Sequence, residues 1–576
     1  MKRLDLTPIS ATATRVIPNR WDVVAFVLIF SVLALLVQGG IDMQTPLATI
    51  ENKPISLEPS ALPGYALQTI IRMLSAMGFS LLFTFAYATL AAKSKRAELV
   101  MIPLLDILQS VPVLGFISFT LAFFLNLFPG NSLGVECAAV FAIFTSMAWN
   151  MTFSLYQSLR TVPRDLDEVS RSYHFSGWQR FWRLEVPFAM PGLIWNAMMS
   201  MSGGWFFVVA SEAITVGDKT ITLPGVGSYV ATAIAQHDLG SIGWALGAML
   251  VVILIYDQIL FRPLVIWSER FRVHDSETSL ESHSWVLTMI KRSRLIDWVM
   301  RPLRCLARWS LSIRIPLSLP MLPKLTPSSR LLDALWIATI IGATLIGGWN
   351  LYKYLSQYLQ LSDTLHAILL TFYTLLRVVI LIFLASLFWV PVGIWIGLKP
   401  GLAEKIQPVA QFLAAFPANL VFPLAVMMIV RFDLNPNIWL SPLIVFGTQW
   451  YILFNVIAGA SSFPRDLQEV ADNMQLSGWL WWRRVMLPGI FPYYITGAIT
   501  ASGGSWNASI VAEMVQWGNT TLTADGIGAY IAQATASGDF PRIVLGITLM
   551  CGCVLLFNRL FWRRLYLFSE KRLRLD

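Results

Sequence analysis

The chain has 576 residues, 56% of them hydrophobic and 13% charged, with a mean hydropathy of +0.63 and a formal net charge of +9. Soluble globular domains carry about 25% charged residues, so this composition excludes a water-soluble globule and assigns the chain to a bilayer. The positive balance is that of Lys and Arg gathered beside anionic lipid, and it gives no reason to expect nucleic acid as a partner.

The chain opens with a basic stretch (Lys2, Arg3, Arg15, Arg20) before an apolar run at 22–40. A secretion signal begins in the same way, but Gln38-Gly-Gly-Ile-Asp has no small-x-small cleavage site, so an uncleaved first transmembrane helix is predicted, with an external loop to residue 65. Apolar runs at 66–92, 98–125, 134–158, 187–214 and 242–262 predict five further helices in a core spanning 66–262. Residues 263–331 break the rhythm with Ser, Glu, Arg and Pro. Within them, Trp285 to Leu311 interleaves Trp298, Val299, Leu303 and Leu306 with Lys291, Arg292, Arg294, Arg301, Arg304 and Arg308. That pattern fits either an amphipathic segment on the inner leaflet, broken near Pro302, or a basic solvated linker. A seventh helix at 332–350 with its loop to 365 leads into a second core, 366–562, with runs at 366–398, 404–430, 437–460, 487–514 and 541–562; kinks are expected at Pro391 and Pro423. A basic tail, 563–576, closes the chain.

Alternate inter-helix segments hold 35 of the 42 Lys and Arg, as cytoplasmic loops do. Both termini are therefore predicted to be cytoplasmic. The fold class read from these patterns is an all-α polytopic membrane protein, two tandem six-helix repeats of about 12 transmembrane helices related by pseudo-twofold symmetry. Cys137 and Cys305 fall on opposite sides, and Cys551 and Cys553 on nearly opposite helix faces, so neither a disulfide framework nor a metal site is implied.

The duplication is explicit in one segment. Residues 163–187 read PRDLDEVSRSYHFSGWQRFWRLEVP, and residues 464–488, at an offset of 301, read PRDLQEVADNMQLSGWLWWRRVMLP. The same offset carries Trp205, Glu212, Gly225, Gly227 and Tyr229 onto Trp506, Glu513, Gly526, Gly528 and Tyr530. Each copy of the segment is expected to form a short cytoplasmic helix capped by Asp165 or Asp466, with Glu168 or Glu469 three residues on completing a capping box. A polar segment held at equal places in two apolar halves suits presentation to two equivalent partners.

At these residues the chain resembles the permease subunits of type I ABC importers, in the duplicated form of the nitrate, sulfonate, taurine and bicarbonate branch. The family's Glu-Ala-Ala motif is matched by Glu168, Val169, Ser170, Ser176 and Gly177, and again by Glu469, Val470, Ala471, Ser477 and Gly478. The resemblance implies that these turns are coupling helices docked on two separate ABC ATPase subunits, which carry ATP and Mg. It implies further an extracytoplasmic solute-binding protein, an anionic solute, and the plasma (inner) membrane of a bacterium or archaeon. The chain departs from the pattern at the motif's Gly, which is His174 and Gln475 here.

Further candidates for a path or gate are Arg72 and Arg377, Trp205 and Glu212, and Trp506 and Glu513, with the small residues Ser202, Gly203, Gly503 and Gly504. An intramembrane Arg is costly and functional by default, although each lies close enough to a helix end to snorkel instead. Trp and Glu seven residues apart share a helix face, so Glu212 and Glu513 read equally as a gate contact or as an interfacial pin. No Gly-x-x-x-x-Gly-Lys-Ser/Thr loop occurs, so no cofactor is expected on this chain and hydrolysis of ATP is assigned to a partner. A secondary transporter with tandem repeats is the alternative. An intramembrane enzyme is disfavoured because the five histidines form no His-x-x-x-His or His-Glu-x-x-His pair and no clustered carboxylates are expected within the spans.

Overall fold

The computed structural model describes residues 54–110, 117–216, 219–271, 284–312, 329–461, 463–517 and 520–572, preceded by 21–27 and a few single positions up to Pro46. In the first repeat, α1 (Leu62–Lys93), α2 (Lys95–Ser110), α3 (Ile117–Leu127) and α4 (Leu133–Arg160) precede the repeated segment, which forms α5 (Arg164–Ser172) and α6 (Gly177–Arg180). A π-helical turn, Phe181–Glu185, leads into α7 (Val186–Ser211), the hairpin β1 (Ala213–Val216) and β2 (Lys219–Thr222), α8 (Val226–Ala235) and α9 (Leu239–Tyr256). The linker contributes α10 (Trp285–Arg292) and α11 (Arg294–Ser312).

The second repeat runs α12 (Ser329–Tyr358), α13 (Leu361–Gly397), α14 (Pro400–Ala415), α15 (Phe422–Arg431), α16 (Ser441–Phe446) and α17 (Trp450–Ser461). Its copy of the repeated segment forms α18 (Arg465–Asn473) and α19 (Gly478–Trp481), followed by α20 (Leu487–Ala512), the hairpin β3 (Met514–Trp517) and β4 (Thr520–Thr523), α21 (Ile527–Ser537) and α22 (Phe540–Phe557). The hairpins keep one register: Ala213 pairs with Thr222 and Met514 with Thr523.

Among the described residues, six helices are long and apolar enough to cross a membrane: Pro59–Lys93, Leu133–Arg160, Gly177–Ser211, Leu239–Ser268, Leu361–Gly397 and Phe540–Ser569. A seventh exists if Pro436–Phe446 and Trp450–Ser461, bent by 44°, form one span. This is fewer than the 12 apolar runs suggest: the helices at 332–350 and 487–514 are not among them, and three further runs have identifiable reasons. The first run lies mostly outside the described residues. Residues 111–116 of the run at 98–125 lie outside the described residues, which hold α2 and α3 on either side. The run at 404–430 is interrupted at Pro417, which has no N–H to continue a helix, and Pro423 starts α15 instead of kinking a longer one. Pro391 sits inside α13, which stays one element. In the linker, the break falls at Ser293, and α11 continues through Pro302.

Burial joins the two halves. One core is built from α1, α4, α7, α8 and α9. The other gathers the second repeat but takes in Ile117, Val135, Phe207 and Ile221 of the first. Tyr451 donates to the Met199 carbonyl at 3.4 Å and Asn419 to the Phe206 carbonyl at 3.2 Å, so polar contacts also cross between repeats. Large apolar side chains such as Leu345, Trp349, Phe383 and Leu387 face outward, as a lipid-facing surface requires.

Candidate functional site

Three arrangements stand out, two present in each repeat and one lying between them. The first is a buried cluster under each hairpin. The Thr69 hydroxyl donates to Glu212 Oε1 at 2.7 Å, and Arg72 Nη1 reaches the same oxygen at 2.8 Å and the Pro224 carbonyl at 2.9 Å. The other edge of the guanidinium is held by Glu136, with Nε to Oε2 at 2.6 Å and Nη2 to Oε1 at 2.7 Å, a bidentate pair. Glu212 Oε2 accepts from Gly227 N at 2.6 Å. Arg72 and Glu212 are fully buried. In the second repeat Thr374, Arg377, Asp525 and Gly528 take the same places around Glu513, with Arg377 Nη1 at 3.1 Å from the carboxylate and Gly528 N at 2.8 Å. Asn437 stands where Glu136 does, accepting from Arg377 Nη2 at 3.1 Å.

Glycine makes the approach possible. A Cβ on Gly225 would lie 2.3 Å from the Glu212 carboxylate, and one on Gly526 2.2 Å from that of Glu513. Both arginines are therefore joined to the glutamates singled out with them, as braces holding the hairpin and short-helix entry onto α1 or α13. Neither snorkels. Glu136 and Asn437 escape sequence reasoning because they lie 64 and 60 residues from their arginines; their shared offset of 301 is the one signal that could have found them. Two carboxylates thus cluster at Arg72, against the expectation of none within the spans, because residues 76 apart in sequence are brought together only when α4 and α7 pack. Trp205 and Trp506, two turns before the glutamates on the same helix face, are both buried.

The second arrangement is a cavity of ≈ 50 Å³ between the repeats. Gly203 of α7 and its counterpart Gly504 of α20 both line it, with Phe206, Thr448, Tyr451 and Asn507. A Cβ on Gly203 would meet only the Tyr451 hydroxyl, at 3.7 Å, and one on Gly503 nothing within 4 Å. Ser202 belongs to the same helix as Gly203.

The third is the repeated segment. α5 and α18 begin after Pro163 and Pro464 with no side-chain cap, so the capping by Asp165 and Asp466 expected above does not occur; both aspartates lie inside the first turn. Each helix ends on a residue in the left-handed region, His174 at φ 50° and Gln475 at φ 53°. Phe175 N then donates to the Ser170 carbonyl at 3.1 Å and Leu476 N to that of Ala471 at 3.0 Å, a Schellman closure that ordinarily selects Gly. The departure from the family's Gly is thus a backbone matter. Glu168, Val169 and Tyr173, like Glu469, Val470 and Met474, are exposed, while Ser170 and Ala471 are buried.

The two copies differ in their supports. Ser176 and Gln179 form a reciprocal capping box at the start of α6, whereas Ser477 faces Leu480 and forms none. Lys93 donates to both oxygens of the buried Glu185. Arg180 lies 3.0 Å from Glu185 and 2.6 Å from Asp167. Arg180 Nε and Asp167 Oδ1 are not aligned as hydrogen bonds, so these two contacts are electrostatic. At the 301 offset, Met486, Trp481 and Gln468 replace Glu185, Arg180 and Asp167.

Comparison with known proteins places this geometry. The model of the family described as "Binding-protein-dependent transport system inner membrane component" matches residues 85–262 and again 389–575. The bicarbonate transport system permease protein CmpB of Synechocystis sp. is 30% identical over 31% of this chain and 60% of its own length. The nitrate import permease protein NrtB of Leptolyngbya laminosa is 30% identical over 32% of this chain and 63% of its own. The glycine betaine/proline betaine transport system permease protein ProW of Escherichia coli is 26% identical over 37% and 55%. The chain thus spans a little under two thirds of the length of these relatives.

Proposed function

Because this chain belongs to the family of binding-protein-dependent transport system inner membrane components, carrying the family's domain twice, we propose that it forms by itself the membrane path of an ATP-driven importer for a small anion. In this reading it has 12 spans in two pseudo-twofold related halves, both termini lie in the cytoplasm, and the membrane is the inner one. A solute-binding protein delivers the anion from outside, and two separate ATPase subunits bind ATP and Mg. The anion is inferred from the resemblance to bicarbonate and nitrate permeases.

The observation that carries the reading is the doubled exposed face. Val169 and Val470 are 51% and 50% exposed, Tyr173 and Met474 are 70% and 69%, and each pair sits beside an exposed Glu on a helix closed by the same left-handed turn. Apolar side chains so exposed on an acidic, capped helix suit docking into a partner's cleft. The clusters of Arg72 with Glu212 and Arg377 with Glu513 then act as gate braces, and Gly203, Gly503 and Gly504 border the path.

Reconstitution with the ATPase and binding protein tests this by uptake into vesicles. ATP-dependent uptake of bicarbonate or nitrate is expected, abolished in the Glu168→Ala, Glu469→Ala double variant with membrane insertion intact. Uptake driven by an ion gradient without ATP would establish a secondary transporter instead, and transport of betaine alone would overturn the anionic class.

A further inference from the structure

The linker between the repeats is fastened at both ends of α11. At its start, Asp22 Oδ1 accepts from Leu295 N at 2.9 Å and from the Ser293 hydroxyl at 2.9 Å, while Ala25, Met289 and Ile296 bury one another. At its end, the Trp178 indole donates to the Ser310 carbonyl at 3.1 Å and Gln179 Nε2 to the Leu311 carbonyl at 3.0 Å. The free N–H and C=O groups that terminate any helix are here satisfied by Asp22, in the helical stretch 21–27, and by the first repeated segment. Among the described residues no such tie occurs in the second repeat, where Leu480 replaces Gln179 and the counterpart of Trp178, Trp479, is 72% exposed.

Between these fastenings α11 leaves a wide apolar face open. Trp298, Leu306 and Trp309 are 69%, 63% and 65% exposed. At 3.6 residues per turn Trp298, Cys305 and Trp309 fall within about 40° of one another and border the edge carrying Arg294, Arg301 and Arg308. Tryptophans beside arginines on a helix bound to the ends of membrane spans match the boundary between acyl chains and anionic headgroups.

We propose that α11 is a membrane-surface strut that seats Trp298, Leu306 and Trp309 in an anionic leaflet and, through Trp178 and Gln179, passes the state of that leaflet to the first repeated segment and not to the second. The strut rests on the transport reading only for its use in coupling; lipid contact and its transmission are measurable without transport. Each arginine at the surface adds about fivefold to binding of an anionic membrane.

Cys305 is exposed and can be the reporter, with Cys137, Cys551 and Cys553 changed to Ser. An environment-sensitive dye on Cys305 of the full chain is to be compared in nanodiscs of brominated phosphatidylglycerol and of brominated phosphatidylcholine. Strong quenching in the anionic discs, lost in Arg301→Gln, Arg308→Gln, is expected. A water-exposed dye in both lipids would overturn the membrane seat, and equal quenching unaffected by the arginine changes would overturn the charge recognition. Amide hydrogen exchange over 164–180 should slow in anionic discs, while 465–481 serves as the internal control. Trp178→Phe should abolish that slowing and leave quenching unchanged. Exchange at 164–180 indifferent to lipid charge would overturn the transmission. Absence of ATP-driven uptake in either lipid would defeat the importer reading and leave these outcomes standing.

Discussion

Glu212 and Glu513 each accept from a threonine hydroxyl, an arginine and a glycine N–H, yet the charges around them differ. Arg72 stands between two carboxylates, Arg377 between one carboxylate and the Asn437 amide, and Arg377 keeps 14% exposure of its side chain. Removing one partner of a buried ion pair costs about 3–5 kcal/mol because the remaining charge is left uncompensated. Arg72→Met strands two such carboxylates, so it should lower the thermal midpoint of the purified chain more than Arg377→Met does. Equal shifts would show that Glu136 adds nothing to the brace. At His174 the sign is reversed. A non-Gly residue in the left-handed region costs roughly 1 kcal/mol, so His174→Gly should be neutral to stabilising by up to about that amount. A clear drop in the same melting assay would mean that the imidazole makes a contact more valuable than the strain.

At the scale of elements, α7 and α20 bring their glycines to one cavity, while their far ends deliver Glu212 and Glu513 to the hairpins. If the cavity lies on the path, Gly203→Leu should cut uptake at least tenfold. Its Cβ fits beside Tyr451 and the rest of the leucine occupies the open volume. Gly247→Leu, at an exposed glycine of α9 with nothing within 4 Å of its Cβ, is the control and should leave uptake unchanged. Equal loss in both would point to general misfolding, and unchanged uptake in Gly203→Leu would remove the cavity from the path. The short helices α5 and α18 share a backbone, but only the first is supported by the Lys93–Glu185–Arg180 cluster, a capping box and the linker. Two partners docking on them would meet supports of unequal stiffness.

For the whole molecule, the repeats are interleaved. The hairpin strand β1 packs on α21 of the other half and β3 on α8, and His237 meets Trp517 edge-on with ring centroids 5.4 Å apart. On the reading proposed above, a chain that already pairs its halves needs no second copy to form the path. Native mass of the detergent-extracted complex should therefore show one copy of this chain with two ATPase subunits. Two copies of this chain per complex would contradict the fused arrangement.

Membrane residence, the duplication, both repeated segments and the individual candidates Arg72, Glu212, Arg377 and Glu513 are legible in the sequence. Composition, apolar run length and a constant offset are local or periodic quantities. Asp165 and Asp466 do not cap because Pro163 and Pro464 set the helix start themselves, and in the first repeat the side-chain cap belongs to the next helix, at Ser176. Joining Arg72 to Glu136 and Glu212 spans 64 and 140 residues, and fastening α11 to Trp178 spans 132. Those partners are chosen by which helix faces lie together once apolar surfaces are buried. A linear pattern fixes the face that each helix presents, and only the packed bundle decides which polar group stands opposite it.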